Sequence, residues 1–494
     1  MEITGRKTLD MKPEEFRALG YQLVDRIAAH LERLPEGPVK PDEAGSVVRT
    51  ALEAGRGLPD VGANPEALLS HASELLFRHS LFNGHPRFFG YITSSPAPIG
   101  VLGDLLASAV NANCGGWTLA PMATEIEAQT VRWIAEFIGF PAAATGSPGL
   151  LVSGGNMANF VCFLAARTAK AGQDVRKTGL GGNHSRMIVY ASAETHTWIE
   201  KAEDLFGLGT DAIRWIAVDE HQRMKPAELR SQIDSDRARG EQPFLVVGTA
   251  GSVSTGAVDP LPEIAAICRD AGLWFHVDGA YGAFAAAVPE SPEDLRALAL
   301  ADSVAVDPHK WLYSPLEAGC ALVKRPEDLG NAFSYHPPYY HFGEETLNFV
   351  DYGPQNSRGF RALKVWLALQ LLGRRGYLES ISEDMRLSRK LSAILRDRPD
   401  FETFTQGLSI TTFRYVPTDL RSKLGEIDVE EQLNKLNEEL LVRVEKSGKA
   451  FLSNVVINGR FGLRACIVNF RTTEKDIAAL PDLIASLAPA HSSG

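Results

Sequence analysis

The chain has 494 residues, 45% of them hydrophobic and 22% charged, which suits a folded protein of roughly two to four domains and excludes disordered or collagen-like compositions. Lys and Arg number 50 against 61 Asp and Glu, a formal charge of −11. No local basic cluster offsets that charge, so a nucleic-acid partner is not expected. The cysteines (Cys114, Cys162, Cys268, Cys320, Cys466) are odd in number and scattered. With no Cys-x-x-Cys pair they suggest a reducing compartment and no metal. No signal-like apolar stretch opens the chain, and no apolar run reaches the roughly 20 residues a membrane crossing needs. The expectation is a cytoplasmic protein without membrane contact.

In chain order, Phe16, Leu19, Leu23, Ile27, Leu31 and Leu34 recur every three or four positions. They predict an amphipathic helix ended by Pro35-Glu36-Gly37-Pro38. Asn64-Pro65 reads as an N-cap followed by a first-turn proline, opening a helix with Leu68, Leu69, Ala72, Leu75 and Leu76 inward. A Gly- and Pro-punctuated loop runs from Asn83 to Pro98. Between about residues 120 and 325, short apolar runs alternate with helical stretches: Leu150–Val152, Met187–Tyr190, Phe244–Val247, Leu273–Val277, Ser303–Val306 and Ala318–Val323. That alternation predicts a mostly parallel sheet wrapped by helices. Beyond residue 376 the pattern predicts an α+β segment with strands Leu408–Tyr415, Phe451–Val456 and Gly462–Phe470 and helices Val429–Glu445 and Glu474–Leu487. The division expected is a helical arm (1–85), a large α/β domain (86–376) and a small C-terminal α+β domain (377–494).

Chemistry gathers at predicted strand ends. Trp274-Phe275-His276-Val277-Asp278 delivers a carboxylate to the C-terminal edge of the sheet, where open α/β folds bind ligands. A later strand ends in Asp307-Pro308-His309-Lys310-Trp311 and brings a lysine, a histidine and a second acid to the same rim. Leu151-Val152-Ser153-Gly154-Gly155-Asn156 breaks a strand at two glycines and enters a helix whose first amides suit a phosphate. Thr249 and Ser303 could add hydroxyls, and His196 a flat ring. A lysine, a carboxylate, an anion cradle and an aromatic face are the parts that pyridoxal 5'-phosphate requires.

With these motifs the chain resembles the group II pyridoxal-phosphate-dependent amino-acid decarboxylases, specifically the aromatic-L-amino-acid decarboxylase branch. The resemblance extends through His85-Pro86-Arg87-Phe88-Phe89-Gly90-Tyr91, Trp117, Thr124-Glu125-Ile126-Glu127 and Arg358-Gly359-Phe360-Arg361. It implies the type I pyridoxal-enzyme fold (aspartate-aminotransferase-like), with a seven-stranded, mostly parallel sheet, and a homodimer whose active site lies at the subunit interface. It implies catalytic roles for Lys310, Tyr339, His196 and Asp278. Lys310 would hold the cofactor as a Schiff base, Asp278 would face the pyridine nitrogen, and His196 would stack on the ring. Gly155, Asn156, Ser303 and His309 would surround the phosphate, with Thr249 and Ala280 against the ring. Tyr91, Ser94 and Trp117 would line the substrate site.

The expected reaction is loss of carbon dioxide from an L-amino acid, most simply an aromatic one, to give the amine. Alternatives are an aldehyde-forming reaction, a Glu or Asp substrate, or a scaffold without activity. In the segment 331–343 the Pro-x-Tyr spacing assigns the proton donor to Tyr339, with Tyr340 as rival, and a tyrosine rather than phenylalanine there argues for amine over aldehyde. The sequence departs from animal relatives at Asn113 to Gly116, at Met157 and at Gly359, which leaves Arg358 without an adjacent arginine.

Overall fold

Strands buried on both faces read as unbroken apolar runs, because neither side of the pleat meets water. The computed structural model describes residues 10–142, 146–172, 174–180, 185–336 and 346–488. Seven strands form its main sheet: β1 Gly149–Val152, β2 Met187–Ser192, β3 Ile213–Ile216, β4 Gln242–Thr249, β5 Trp274–Asp278, β6 Ser303–Val306 and β7 Gly319–Val323. Their order is β1-β7-β6-β5-β4-β2-β3. Only β7 runs antiparallel to its neighbours, pairing with β1 and β6; the remaining pairs are parallel. Alternation along β4 sends Val246 into one core layer and Leu245 and Val247 into the other. Helices Pro121–Ile138 and Leu261–Ala271 cover the first layer, and helix Gly155–Lys170 covers the second.

The edge strand β3 was not among the expected runs. Its four residues put a half-buried Arg214 and an exposed Trp215 between two buried isoleucines, so it lacks the continuous apolar signature of its neighbours. A second, antiparallel sheet has the order β10-β11-β9-β8, from β8 Phe401–Gly407, β9 Ile410–Tyr415, β10 Ser453–Ile457 and β11 Arg460–Cys466. Here β8 is the addition to the expected set. It is half-buried along most of its length and rich in Thr and Gln, a composition that reads as loop.

Helix Ala362–Arg396 spans from one sheet to the other and is interrupted at Gly373, whose φ of 65° few other residues adopt readily. The helix Pro65–Arg78 forms with Asn64 accepting from the Ala67 amide at 3.0 Å. Its Leu68 and Leu76, expected inward, are exposed in the single chain. The arm helix Pro13–Arg33 likewise buries only Leu19 and leaves Phe16 and Tyr21 in solvent.

The segment Arg87–Tyr91 is threaded into the small sheet's edge. Phe89 donates to the Phe451 carbonyl at 2.8 Å, Phe451 donates to Arg87 at 3.1 Å, and Cys466 donates to Phe89 at 2.9 Å. Gly90 permits this approach, since a Cβ there would lie 2.3 Å from the Phe451 ring.

Candidate active site

Parallel registry brings the strand ends together. Thr249 of β4 stands opposite Asp278 of β5, and Asp278 opposite Ala305 of β6, so the turns after β6 and β5 face each other across one rim. Immediately past β6, the Lys310 Nζ lies 3.0 Å from Asp307 Oδ2, and His309 Nε2 lies 3.5 Å from the same oxygen. His309 Nδ1 accepts from the Ala318 amide at 3.2 Å, which places its ring hydrogen on Nε2, facing Asp307. Burial, aided by the Lys310 charge and opposed by Asp307, lowers the His309 pKa, and the imidazole is neutral at neutral pH. Ser94 Oγ donates to the His309 carbonyl at 2.8 Å, pinning the lysine turn from outside.

Asp278 is buried and held at both oxygens. Trp198 Nε1 donates to Oδ2 at 2.8 Å and the Ala280 amide to Oδ1 at 3.1 Å. The Trp198 indole meets His276 edge-on at 5.7 Å. His276 bridges Asn159 Oδ1 and Ser303 Oγ, each at 2.8 Å, and burial pushes its pKa down to about 4. His196, two residues before Trp198, accepts the Trp198 amide on Nδ1 at 3.3 Å. Its pKa is lowered, by burial first and then by Lys310 and Lys201 against the pull of Asp278 and Asp307.

Lys310, Asp278, His196, Gly155, Asn156, Thr249, Ala280 and Tyr91 all line one cavity of about 360 Å³. Within it, Thr93 Oγ1, Glu194 Oε2, Thr249 Oγ1 and Asp307 Oδ1 are buried and accept or donate no hydrogen bond among the described residues. Buried polar atoms are normally paired, so four unmatched ones on a single wall mark a site shaped for a polar ligand. At one end helix Gly155–Lys170 starts, and a Cβ on Gly155 would stand 2.7 Å from Asp307 Oδ2 and 3.0 Å from Ala280 Cβ. Only glycine fits at this start of a helix, where the first amides favour an anion. An amine, a clamped carboxylate, a neutral imidazole and an anion-favouring helix start fit pyridoxal phosphate.

Four expected residues are absent from this lining. Ser303 opens β6, at the opposite end of the strand from the rim. It is fully buried and engaged by Trp274 Nε1 and His276, so it supports the strand beneath Asp278 and does not contact a phosphate in the cavity. Ser94 and His309 face a neighbouring cavity bounded by Leu34, Phe82 and Arg471. Trp117 donates from its indole to Glu125 at 3.0 Å and from its amide to Asn348 at 3.0 Å, apart from the cofactor cavity. Tyr339 and Tyr340 lie outside the described residues.

Sequence reasoning missed Trp198, which nothing but its place two residues after His196 advertises. It also left Asp307 without a role, although the acid sits in the lysine motif itself.

A family model described as the pyridoxal-dependent decarboxylase conserved domain matches residues 56–416. An aromatic-L-amino-acid decarboxylase of Bacillus atrophaeus is 34% identical over 487 residues, covering 98% of this chain and 97% of that protein. A phenylacetaldehyde synthase of a Rosa hybrid cultivar is 28% identical over 96% of this chain and 94% of its own length. The crystal structure of Oryza sativa TDC with PLP and tryptamine superposes with a TM-score of 0.89 at 26% identity, covering 97% of this chain and 98% of that one. The lysine, the clamped acid and the matched domain together place this chain in the pyridoxal-dependent decarboxylase family of carboxy-lyases, with pyridoxal phosphate as its cofactor.

Proposed function

We propose that the protein removes carbon dioxide from an aromatic L-amino acid to give the amine. The observation that carries this is the cavity wall: beside Lys310 and Asp278 stand Tyr91 and Ile92, and among the described lining residues Lys310 is the only full cation. A Glu or Asp substrate would need a second cation for its side-chain carboxylate. Arg87, the candidate in the sequence, is not part of this wall.

Bound pyridoxal phosphate supplies an electron sink for bonds at the substrate α-carbon. Lys310 provides the amine for covalent attachment, and Asp278 keeps the ring nitrogen protonated, its own orientation set by Trp198 and the Ala280 amide. His196 offers a neutral flat face. Gly155 and Asn156 would present the helix start to the phosphate, with His309 behind, and Thr249 and Ala280 would hold the ring. Tyr91 bounds the substrate side. Tyr339, or Tyr340, returns a proton to the α-carbon.

The same reading makes the protein a cytoplasmic homodimer and assigns an arm (1–85), a cofactor domain (86–376) and a C-terminal domain (377–494). Helix Pro98–Val110 supports the dimer. Its Gly100 and Gly103 pack inward, while Val101, Leu102, Leu105, Leu106 and Val110 are exposed beside Leu119 and Met122, an apolar face suited to a second copy. Among the described residues no helix is long and apolar enough to cross a membrane.

Product analysis with L-tyrosine, L-DOPA, L-phenylalanine, L-tryptophan, L-histidine and L-glutamate tests the proposal. Amine from an aromatic acid is expected, and turnover of glutamate alone would overturn it. The phenylacetaldehyde synthase relative supports a second reading, in which aldehyde and ammonia replace the amine. Tyr339→Phe is expected to divert product toward aldehyde, and unchanged amine output would remove Tyr339 from the proton-donor role.

A further inference from the structure

The turn that carries Lys310 also carries an acid, Asp307, which is 2% exposed. Oδ2 of this acid faces the Lys310 ammonium at 3.0 Å and the His309 Nε2 at 3.5 Å. Oδ1 is buried and receives no donor among the described residues. The acid also looks onto the start of helix Gly155–Lys170, since a Cβ on Gly155 would come within 2.7 Å of Oδ2. The phosphate cradle therefore holds a carboxylate before any phosphate arrives there.

Other charges in reach do not cancel it. His309 is neutral, its Nδ1 occupied by the Ala318 amide. Cys320, behind Asp307 on β7, is a buried thiol whose pKa burial raises. Across the cavity stand His196, also with a lowered pKa, and the acid Asp278. Among the described residues Lys310 is the one cation at bonding distance, and it is the group that covalent attachment to the cofactor would engage. A carboxylate and a phosphate dianion sharing one helix start repel, and like charges in one site titrate apart until one holds a proton.

We propose that Asp307 makes phosphate recognition proton-linked. As the phosphate ester binds, the Asp307 carboxylate takes one proton from solvent, and the resulting acid donates it to a phosphate oxygen. Repulsion between two anions becomes a short hydrogen bond to an anion, among the stronger kinds available. Affinity for the phosphorylated vitamer thereby rises as pH falls, because the ester and one proton are bound together. This rests on the cofactor reading above.

The test is calorimetric titration of the cofactor-stripped full chain with pyridoxal 5'-phosphate and with pyridoxal, in two buffers of different ionisation enthalpy. A pH of about 8 keeps the free ester dianionic. Protons exchanged in forming the bond to Lys310 are common to both vitamers and cancel. The wild type is expected to take up about one more proton with the phosphate ester than with pyridoxal, since one acid changes state.

Asp307→Asn is expected to abolish that difference. It should also tighten the phosphate ester by roughly tenfold while leaving pyridoxal nearly unchanged, the size of one pKa unit of relieved repulsion. Equal uptake with the two vitamers, or a difference that survives in Asp307→Asn, overturns the proposal. Should the variant not fold, the wild-type comparison of vitamers decides by itself. Failure of the wild type to bind either vitamer would overturn the cofactor reading, and this proposal with it.

Discussion

A buried carboxylate is only as well placed as the groups that aim it. Asp278 is fixed at one oxygen by the Trp198 indole, which comes from a different turn of the chain. Trp198→Phe keeps most of the ring volume and removes the donor. A hydrogen bond to a charged group contributes about 1.5–3 kcal/mol, so turnover is expected to fall about tenfold to a hundredfold. Steady-state kinetics with a circular-dichroism check of folding measures this.

Histidine protonation also acts at this scale. His276 and His85 both have pKa values pushed down to about 4 from 6.5, chiefly by burial. The unfolded chain binds their protons first, so the stability they contribute is complete above pH 6.5 and is lost as pH falls toward 4. For the fully buried His276 the loss amounts to roughly 3 kcal/mol by the pKa arithmetic, and for His85 to less. Denaturant melts across that window are expected to show falling stability. The fall should be shallower in His276→Gln, which keeps polar atoms for Asn159 and Ser303.

Between elements, the most consequential polar contact is the buried pair of Arg358 and Glu127. Arg358 reaches both Glu127 oxygens and the carbonyls of Cys114 and Leu151, while Glu127 accepts the Leu151 amide at 2.9 Å. It joins helix Pro121–Ile138, strand β1 and the turn at Cys114 into one unit behind the phosphate cradle. Removing one partner leaves a buried charge unmatched, which costs about 3–5 kcal/mol. Glu127→Gln is expected to lower stability by that order in urea melts and to weaken cofactor retention, whereas Glu125→Gln at the surface should not.

The motif pattern exposed Arg358 as solitary. Its partner was out of reach of spacing rules, because the two residues are 231 positions apart. Ser303 shows the opposite failure: a hydroxyl next to a strand looked available for phosphate, yet its position at the strand's start put it under the sheet rim.

On the scale of the whole molecule, the wall of the Lys310 cavity is secured by both sheets. Tyr91 has a φ of 47°, a left-handed conformation uncommon outside glycine. The small sheet secures it, since the Tyr91 amide donates to Ser453 Oγ at 2.8 Å and its carbonyl accepts from Arg464 at 3.1 Å. Tyr281, another wall residue, stacks on Trp311 at 4.7 Å and bonds Ser409 of the C-terminal segment at 2.6 Å. Displacing the small sheet would therefore move the substrate wall relative to Lys310. The exposed leucines of helix Pro98–Val110 extend the same logic to the proposed second subunit. Leu102→Asp with Leu106→Asp is expected to yield a monomer in analytical ultracentrifugation and to abolish turnover; a dimer with full activity would move the interface elsewhere.

The sequence by itself determined the alternating α/β core, the lysine and acid at two strand ends, and the family. Each of these is written in local periodicity or in a short motif whose chemistry requires those residue types. Only the tertiary structure decided that β7 runs against its neighbours, that β3 and β8 complete their sheets, that Trp198 orients Asp278, and that Asp307 stands beside Gly155. Strand direction, edge pairing and charge proximity are set by contacts between distant segments, and such contacts leave no periodic trace along the chain.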